Sequence, residues 1–214
     1  GSGGSFRTHI VLPRQHEQLV NALKTRPVDD HWYEDDWKDI CQTAPDKAMA
    51  AIRMLGENGI WNAGVWRVAL QVFAESEIGL TSLSEIGPSL LQVPIDTYSN
   101  LKHAYGWWLK RLARQVPSSS HQLWFQLLDK ILEYATDEVS DGEPVHAAIN
   151  NPVGQATEAL LDFWYQTEPA VDSGLPEPIK LRLTRLFDPQ PREYVHGRVI
   201  MAAHLRSLYS GDPV

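Results

Sequence analysis

The sequence has very little cysteine: Cys41 is the only one in 214 residues. A single cysteine excludes an intramolecular disulfide bond and any zinc site built from several cysteines. Cys41 follows Ile40 on an apolar helix stripe, so we expect a core residue and not a nucleophile. No apolar run approaches the length that spans a bilayer, and no secretory signal is present. The cytoplasm is therefore the expected location.

Positive charge is also scarce, with 19 Lys and Arg against 27 Asp and Glu and a formal net charge of -8. This balance disfavours a general nucleic-acid or anionic-membrane surface, so neither is an expected partner. The opening GSGGS, residues 1–5, is typical of an expression linker. We expect residues 6–214 to form a single all-helical domain. Because the chain starts at a linker and stops soon after an apolar helix, we expect a fragment of a larger protein.

No alternating β-branched segment of strand length is present, and nearly every segment has a helical period. The prediction is an all-α fold of about ten helices, stacked as antiparallel pairs in an α-solenoid or an irregular, helical-repeat-like bundle. No repeat of fixed period supports a regular consensus array. The predicted helices span approximately 13–25, 29–41, 45–55, 62–75, 96–116, 121–135, 152–166, 177–187 and 193–209, with a shorter one interrupted at Gly87 and Pro88.

The segment NNPVG precedes one of the apolar helices. Asn151 is predicted to be the N-cap, because a residue before proline leaves the α region, and Pro152 suits the first helical position. The Asn151 side chain is expected to accept a hydrogen bond from the N–H of Val153 or Gly154. The cap does not need Asn150, and Gly154 indicates that another backbone or a ligand comes close. Asn150 and Gly154 are therefore candidates for partner binding, with internal packing as the alternative.

Chemical motifs are absent: the chain contains no phosphate-binding loop, dinucleotide fingerprint, zinc-protease motif or nucleophile elbow. His196 and His204 are two helical turns apart, too far to share an ion without a third group. His204 lies in the nearly charge-free VIMAAHL, which predicts burial on most sides and a core histidine. The acidic stretch Asp29–Asp39 surrounds a helix start instead of converging on a point. We therefore predict no catalytic, cofactor-binding or metal-binding residue, and no cofactor.

Trp107 and Trp108 are neighbours on a predicted helix and point about 100° apart. Trp108 belongs to the buried stripe, so Trp107 points to a side that carries three cations, Lys110, Arg111 and Arg114. This aromatic and basic face is the predicted protein-binding surface. Two alternatives stay open: Trp107 packs against a neighbouring helix, or the acidic stretch Asp29–Asp39 pairs with the cations inside the chain.

Two stretches in the last third of the chain, INNPVGQATEALLDFW and HGRVIMAAHLRSLYSGDP, carry a resemblance. They resemble the C-terminal helical domain of unknown function of bacterial sirtuin-like, NAD-hydrolysing anti-phage defence proteins. The matching residues are Asn151, Pro152, Val153, Gly154, Arg198, His204, Leu205, Asp212 and Pro213. The resemblance implies a non-catalytic sensor or scaffold whose parent depletes NAD through its sirtuin-like domain. The implied partners are other domains of the parent or a phage protein that triggers it.

Two other interpretations remain. The chain could be a generic helical scaffold domain of an unrelated cytoplasmic multidomain protein, or a small helical enzyme with a site built from scattered acids and histidines. A sirtuin-like domain encoded in the full gene would separate the first interpretation from the second. A metal bound to the purified protein would favour the enzyme.

Overall fold

The computed structural model describes residues 11–25, 34–139, 142–170 and 173–205, without the side chains of residues 34 and 35. Within these ranges the chain has no strand, so the predicted all-α class is confirmed. The described part contains one 3₁₀ turn, Ser118–Ser120, and eleven α-helices. In chain order the helices are α1 (His16–Thr25), α2 (Glu34–Thr43), α3 (Pro45–Glu57), α4 (Ala63–Ala74), α5 (Gly79–Leu90), α6 (Ile95–Leu112), α7 (His121–Glu133), α8 (Pro144–Asn150), α9 (Pro152–Tyr165), α10 (Glu177–Arg185) and α11 (Tyr194–Ala203).

The helices stack in two layers. In the first layer, α1, α3, α5 and α7 lie side by side in chain order. The helix α10 contacts α7 through Arg182, whose guanidinium donates two hydrogen bonds to the carboxylate of Asp129, and it also packs on α9. In the second layer, α2, α4, α6, α9 and α11 follow one another, and α8 packs on both α9 and α11. Each helix thus contacts mainly its neighbours along the stack, which confirms the predicted solenoid-like or irregular helical-bundle arrangement.

Tryptophans hold the two layers together. Five of them are fully buried, namely Trp37, Trp66, Trp108, Trp124 and Trp164. The indole N–H of Trp108 on α6 donates to the Ser82 hydroxyl on α5 over 2.9 Å. Trp37 and Trp124 also donate their indole N–H groups, to the carbonyl oxygens of Val65 and Leu109, whereas those of Trp66 and Trp164 have no acceptor among the described residues. All five indoles keep a large apolar surface out of water. Most of the tryptophan content therefore serves the core, and the predicted burial of Trp108 is confirmed.

Cys41 also lies in the core, as predicted, and only 1% of its surface is exposed. Burial raises the pKa of its thiol well above the usual range. A thiol that keeps its proton is a poor nucleophile. In the described part of the chain, none of the helices has the length and apolar character needed to cross a membrane.

The predicted interruption at Gly87 and Pro88 is wrong, because α5 continues through both residues. A Cβ added at Gly87 would lie 3.2 Å from Leu123 Cδ2 and 3.3 Å from Leu127 Cδ1 of α7. The glycine therefore allows α5 and α7 to pack closely, and this packing outweighs the weak helix propensity of the two residues. Likewise, α3 continues through Gly56, whose missing Cβ leaves room for Ser89 of α5.

The polar link predicted from Thr136 to Asn151 contains the additional helix α8. The carboxylate of Glu143 caps this helix by accepting hydrogen bonds from the N–H groups of Val145 and His146. Other predicted ends differ by a few residues: α1 begins at His16 instead of 13, and α6 ends at Leu112 instead of 116. The predicted start of the second helix at 29 and the predicted end of the last at 209 lie outside the described residues.

The prediction that VIMAAHL is buried on most sides is wrong. Ile200 and Met201 are buried, but Leu205 is 65% exposed, and His204 is half-buried at the end of α11 and is not a core histidine. The reason is the position of α11 at the end of the second layer, where it packs on α8 and α9 and, through Gly197 and Arg198, on Leu186 after α10. A helix buries only the faces that contact other parts of the chain, so apolar residues on its remaining face stay exposed.

Candidate functional site

The predicted basic face of α6 meets acidic side chains of α9. Lys110 Nζ lies 2.5 Å from Glu158 Oε2, and both side chains are mostly buried. Arg114 donates to Asp162 Oδ1 through Nε over 3.1 Å and through Nη2 over 2.6 Å. This interaction raises the pKa of Arg114. Glu158 and Asp162 are four residues apart on α9 and so lie one above the other, and the two ion pairs follow each other along this helix.

The acids that neutralise this face therefore belong to α9. In the acidic stretch that was the alternative partner, the described carboxylates of Asp36 and Asp39 bind Arg14 instead. Within the same described ranges, no three His, Cys, Asp or Glu side chains form a group that could hold a metal ion. Lys110, Arg114, Asp36 and Asp39 thus form ion pairs within the fold.

Trp107 forms one wall of an open groove on the second layer, and its side chain is half-buried. The groove has a volume of about 680 Å³. Its floor is formed by Val68 and Val72 of α4, which are buried. The remaining lining residues are Lys38 and Gln42 of α2, Gln71 of α4, and Glu75 and Ser76, which follow α4. We call this cavity the Trp107 groove.

Arg111 differs from its two neighbouring cations, Lys110 on α6 and Arg114 just after the end of this helix. Its guanidinium carbon lies 5.8 Å from the centre of the Trp107 ring, while Lys110 Nζ lies 5.6 Å from the same centre. Arg111 is exposed and lines a smaller cavity of about 310 Å³ that shares Glu75 and Ser76 with the Trp107 groove. Among the described residues, neither Arg111 nor Lys38 has a carboxylate within ion-pair distance.

The N-cap prediction for Asn151 is confirmed. Its side-chain oxygen accepts a hydrogen bond of 2.8 Å from the N–H of Val153, and Pro152 occupies the first turn of α9. The other side-chain atom, Nδ2, donates over 2.8 Å to Glu193 Oε1. Both ends of the Asn151 side-chain amide therefore bind within the fold, one as the N-cap of α9 and the other to Glu193.

Gly154 lies where two backbones meet. A Cβ added there would lie 1.8 Å from the carbonyl oxygen of Ala148 on α8. The close approach that the sequence predicted at Gly154 is thus made by another part of the same chain. Gly154 is buried, so we do not include it in the candidate contact surface.

Asn150 is exposed, and its Nδ2 donates to the carbonyl oxygen of His146 in its own helix over 2.9 Å. Its backbone oxygen lies 3.0 Å from His103 Nδ1 on α6. His103 is one helical turn before Trp107, so Asn150 adjoins the same side of α6 as the groove residues. The structure thus brings Asn150, Trp107 and Arg111 to one face, and it separates Gly154 from them.

One polar cluster was not anticipated. Glu193 is only 3% exposed, and its Oε2 accepts from the N–H and the hydroxyl of Thr136 over 2.7 and 3.3 Å. His196, one turn later, is also buried, and burial lowers its pKa while the nearby charge of Glu193 acts in the opposite direction. The sequence shows Glu193 only as an acid at a helix start, where acids are usually solvated. The cluster joins the segment after α7 to the starts of α9 and α11.

Comparisons of this chain with protein-family models, with curated proteins and with solved structures found no match.

Proposed function

We propose that this chain is a non-catalytic helical domain that binds another protein through the Trp107 groove. The observation that carries the proposal is the pair of Trp107 and Arg111. A half-buried indole forms the groove wall, and an exposed guanidinium without a carboxylate partner in the described chain lies over its ring. Tryptophan and arginine most often dominate the binding energy of protein interfaces. Layers of stacked helices also provide extended binding surfaces.

The titratable groups favour binding over catalysis. Lys110 and Arg114 are neutralised by α9, and Cys41 is buried with a raised pKa. A catalytic site needs a nucleophile or a proton carrier that can reach a substrate in a cleft. The residues of the Trp107 groove are amides, apolar side chains, exposed charges and Ser76, whose hydroxyl donates to the carbonyl oxygen of Phe73. This lining suits the recognition of a peptide surface.

We further propose that the domain is the sensor or scaffold part of a bacterial anti-phage protein with a sirtuin-like, NAD-hydrolysing domain. The support is the resemblance carried by the two sequence stretches described above. These stretches contain α9 and α11, which pack against each other and so belong to one structural unit. The partner is then another domain of the parent or a phage protein. The full gene would contradict this assignment if it encoded no sirtuin-like domain, which would leave a generic scaffold domain.

Site-specific photo-crosslinking tests the contact surface. A photoreactive amino acid replaces Trp107 in the full-length protein, which is expressed in its host with and without phage infection. We expect a cross-link to another domain of the same protein or to a phage protein. The matched control places the same amino acid at Lys180, which is exposed on α10 and does not line the groove. The proposal is contradicted when position 107 gives no cross-link, or only those that position 180 gives.

A further inference from the structure

We propose that the Trp107 groove binds an extended peptide segment in which an apolar side chain lies next to a carboxylate. This inference rests on the proposed function, because it specifies the chemistry of the protein segment that the groove receives. It depends on the apolar floor of the groove, on its amide side chains, and on two unpaired cations, Lys38 in its lining and Arg111 in the adjoining cavity.

The apolar floor provides a place for one side chain. Val68 and Val72 are four residues apart on α4, so they lie on the same face, and both are buried below the groove. Trp107 rises beside them from α6. An apolar side chain that inserts here removes its own surface and part of the indole from water. The volume of about 680 Å³ can hold such a side chain together with adjoining main chain.

The amides provide partners for the main chain. Gln42 on α2 and Gln71 on α4 line the groove, and both are exposed. Neither side-chain amide forms a hydrogen bond with another described residue. A carboxamide both donates and accepts, so it can pair with the N–H and C=O groups of an extended backbone. A helical peptide pairs its backbone N–H and C=O groups with each other. A single extended segment leaves these backbone groups free to pair with side-chain amides.

The cations favour a carboxylate on the segment. Lys38 on α2 and Arg111 on α6 have no ion-pair partner among the described residues, whereas Lys110 and Arg114 do. Arg111 lies over the Trp107 ring, which holds its planar group beside the groove. A guanidinium can bind a carboxylate through two parallel hydrogen bonds. A carboxylate next to the apolar anchor would therefore complement Arg111.

Glu75 allows the sign of the ligand charge to be tested. It lines both the Trp107 groove and the cavity beside Arg111, yet it forms no ion pair with Arg111. Its negative charge repels an acidic segment and attracts a basic one. Removal of this charge in Glu75→Gln should strengthen the binding of an acidic segment and weaken the binding of a basic one.

The experiment selects ligands from a yeast-displayed library of random short peptides. The purified chain is the bait, and its Trp107→Ala variant removes peptides that bind elsewhere. We expect the selected peptides to share an apolar residue adjacent to Asp or Glu. Synthetic versions are then titrated by calorimetry. Arg111→Gln should weaken binding at least about tenfold, and Glu75→Gln should tighten it about two- to fivefold.

The matched control is Arg185→Gln. Arg185 is also an exposed arginine near an aromatic ring, with its guanidinium carbon 5.9 Å from the ring centre of Tyr194, but it lines neither the Trp107 groove nor the cavity beside Arg111. This change should leave peptide affinity unaltered. Circular dichroism confirms folding, and should Trp107→Ala fail to fold, Arg111→Gln, a surface change, serves as the counter-selection variant.

The outcomes separate the two proposals. Selected peptides that are basic or uncharged, and that lose affinity in Trp107→Ala, overturn the acidic-segment inference and leave protein binding intact. Weaker binding of the selected peptides to Glu75→Gln would likewise overturn the acidic-segment inference and leave protein binding intact. Failure to find any peptide that distinguishes the wild type from the variant, together with no cross-link from position 107, overturns both.

Discussion

The side-chain amide of Asn151 donates a hydrogen bond of 2.8 Å to the carboxylate of Glu193 while its oxygen caps α9. Both residues are almost fully buried, with 8% and 3% of their surfaces exposed. One side chain thus connects the start of α9 with the start of α11. The carboxylate of Glu193 extends the connection to Thr136, in the segment after α7. A buried carboxylate is tolerated only when such donors replace water.

Replacing Asn151 should therefore cost more than a lost cap. The change Asn151→Ala removes the cap, worth about 0.5–2 kcal/mol, and leaves part of the Glu193 carboxylate without its donor, which adds about 1–3 kcal/mol. The control Asn150→Ala should cost no more than about 0.5 kcal/mol, because that side chain is exposed. Urea unfolding measures both free energies. Equal losses for the two variants would contradict this account.

Gly154→Ala should be strongly destabilising. The new Cβ would collide with the carbonyl oxygen of Ala148, and a backbone atom cannot move away without shifting α8. We expect a loss of about 1–3 kcal/mol or more. In the control Gly87→Ala, the new Cβ would meet only the flexible ends of Leu123 and Leu127, so the loss should be smaller. Thermal unfolding of the two variants compares them, and a larger loss at Gly87 would contradict the packing role of Gly154.

The ion pairs that α9 forms with Lys110 of α6 and with Arg114, just after α6, should differ in strength. Lys110 and Glu158 are 19% and 18% exposed, whereas Arg114 is 70% exposed. Water screens the Arg114–Asp162 pair, whose coupling should be about 0.2–1 kcal/mol. The coupling of the Lys110–Glu158 pair should exceed that value and should fall less in high salt. Double-mutant cycles to alanine at low and high salt provide the measurement. Equal couplings with equal salt dependence would show that burial has no effect here.

The buried His196 should make stability depend on pH. Burial lowers its pKa in the folded state, so the unfolded chain binds the proton more readily. The contribution is present above the ordinary histidine pKa of about 6.5 and is lost as the pH falls below that value. His196→Gln should therefore reduce the loss of stability between neutral and mildly acidic pH. His16→Gln, at an exposed histidine, should not change the slope. Identical slopes for all three proteins would contradict the role of His196.

The purified chain is expected to leave NAD intact, because the proposal assigns any hydrolysis to another domain of the parent. Chromatography of NAD incubated with the chain provides the test. Activity that copurifies with the chain and disappears in a variant of one of its acids or histidines would favour the enzyme interpretation instead.

Local features of the sequence were sufficient to predict the helical class, the N-cap at Asn151 followed by Pro152, and the burial of Trp108 next to a less buried Trp107. These features depend on hydrophobic period and on hydrogen bonds within one helical turn, and a sequence contains that information directly. Local propensity was misleading at Gly87 and Pro88, since the packing of α5 on α7 decides the outcome there.

The candidate site depended on contacts between distant segments. In the sequence, Lys110, Arg111 and Arg114 are three equivalent cations on one side of a helix. The fold places Glu158 and Asp162 of α9 opposite the first and the third, and it leaves Arg111 beside the groove with Trp107. The burial of Glu193 has the same origin, because its donors are 42 and 57 residues away along the chain. Which charge is neutralised depends on the helix packed against it, and only the tertiary structure decides that.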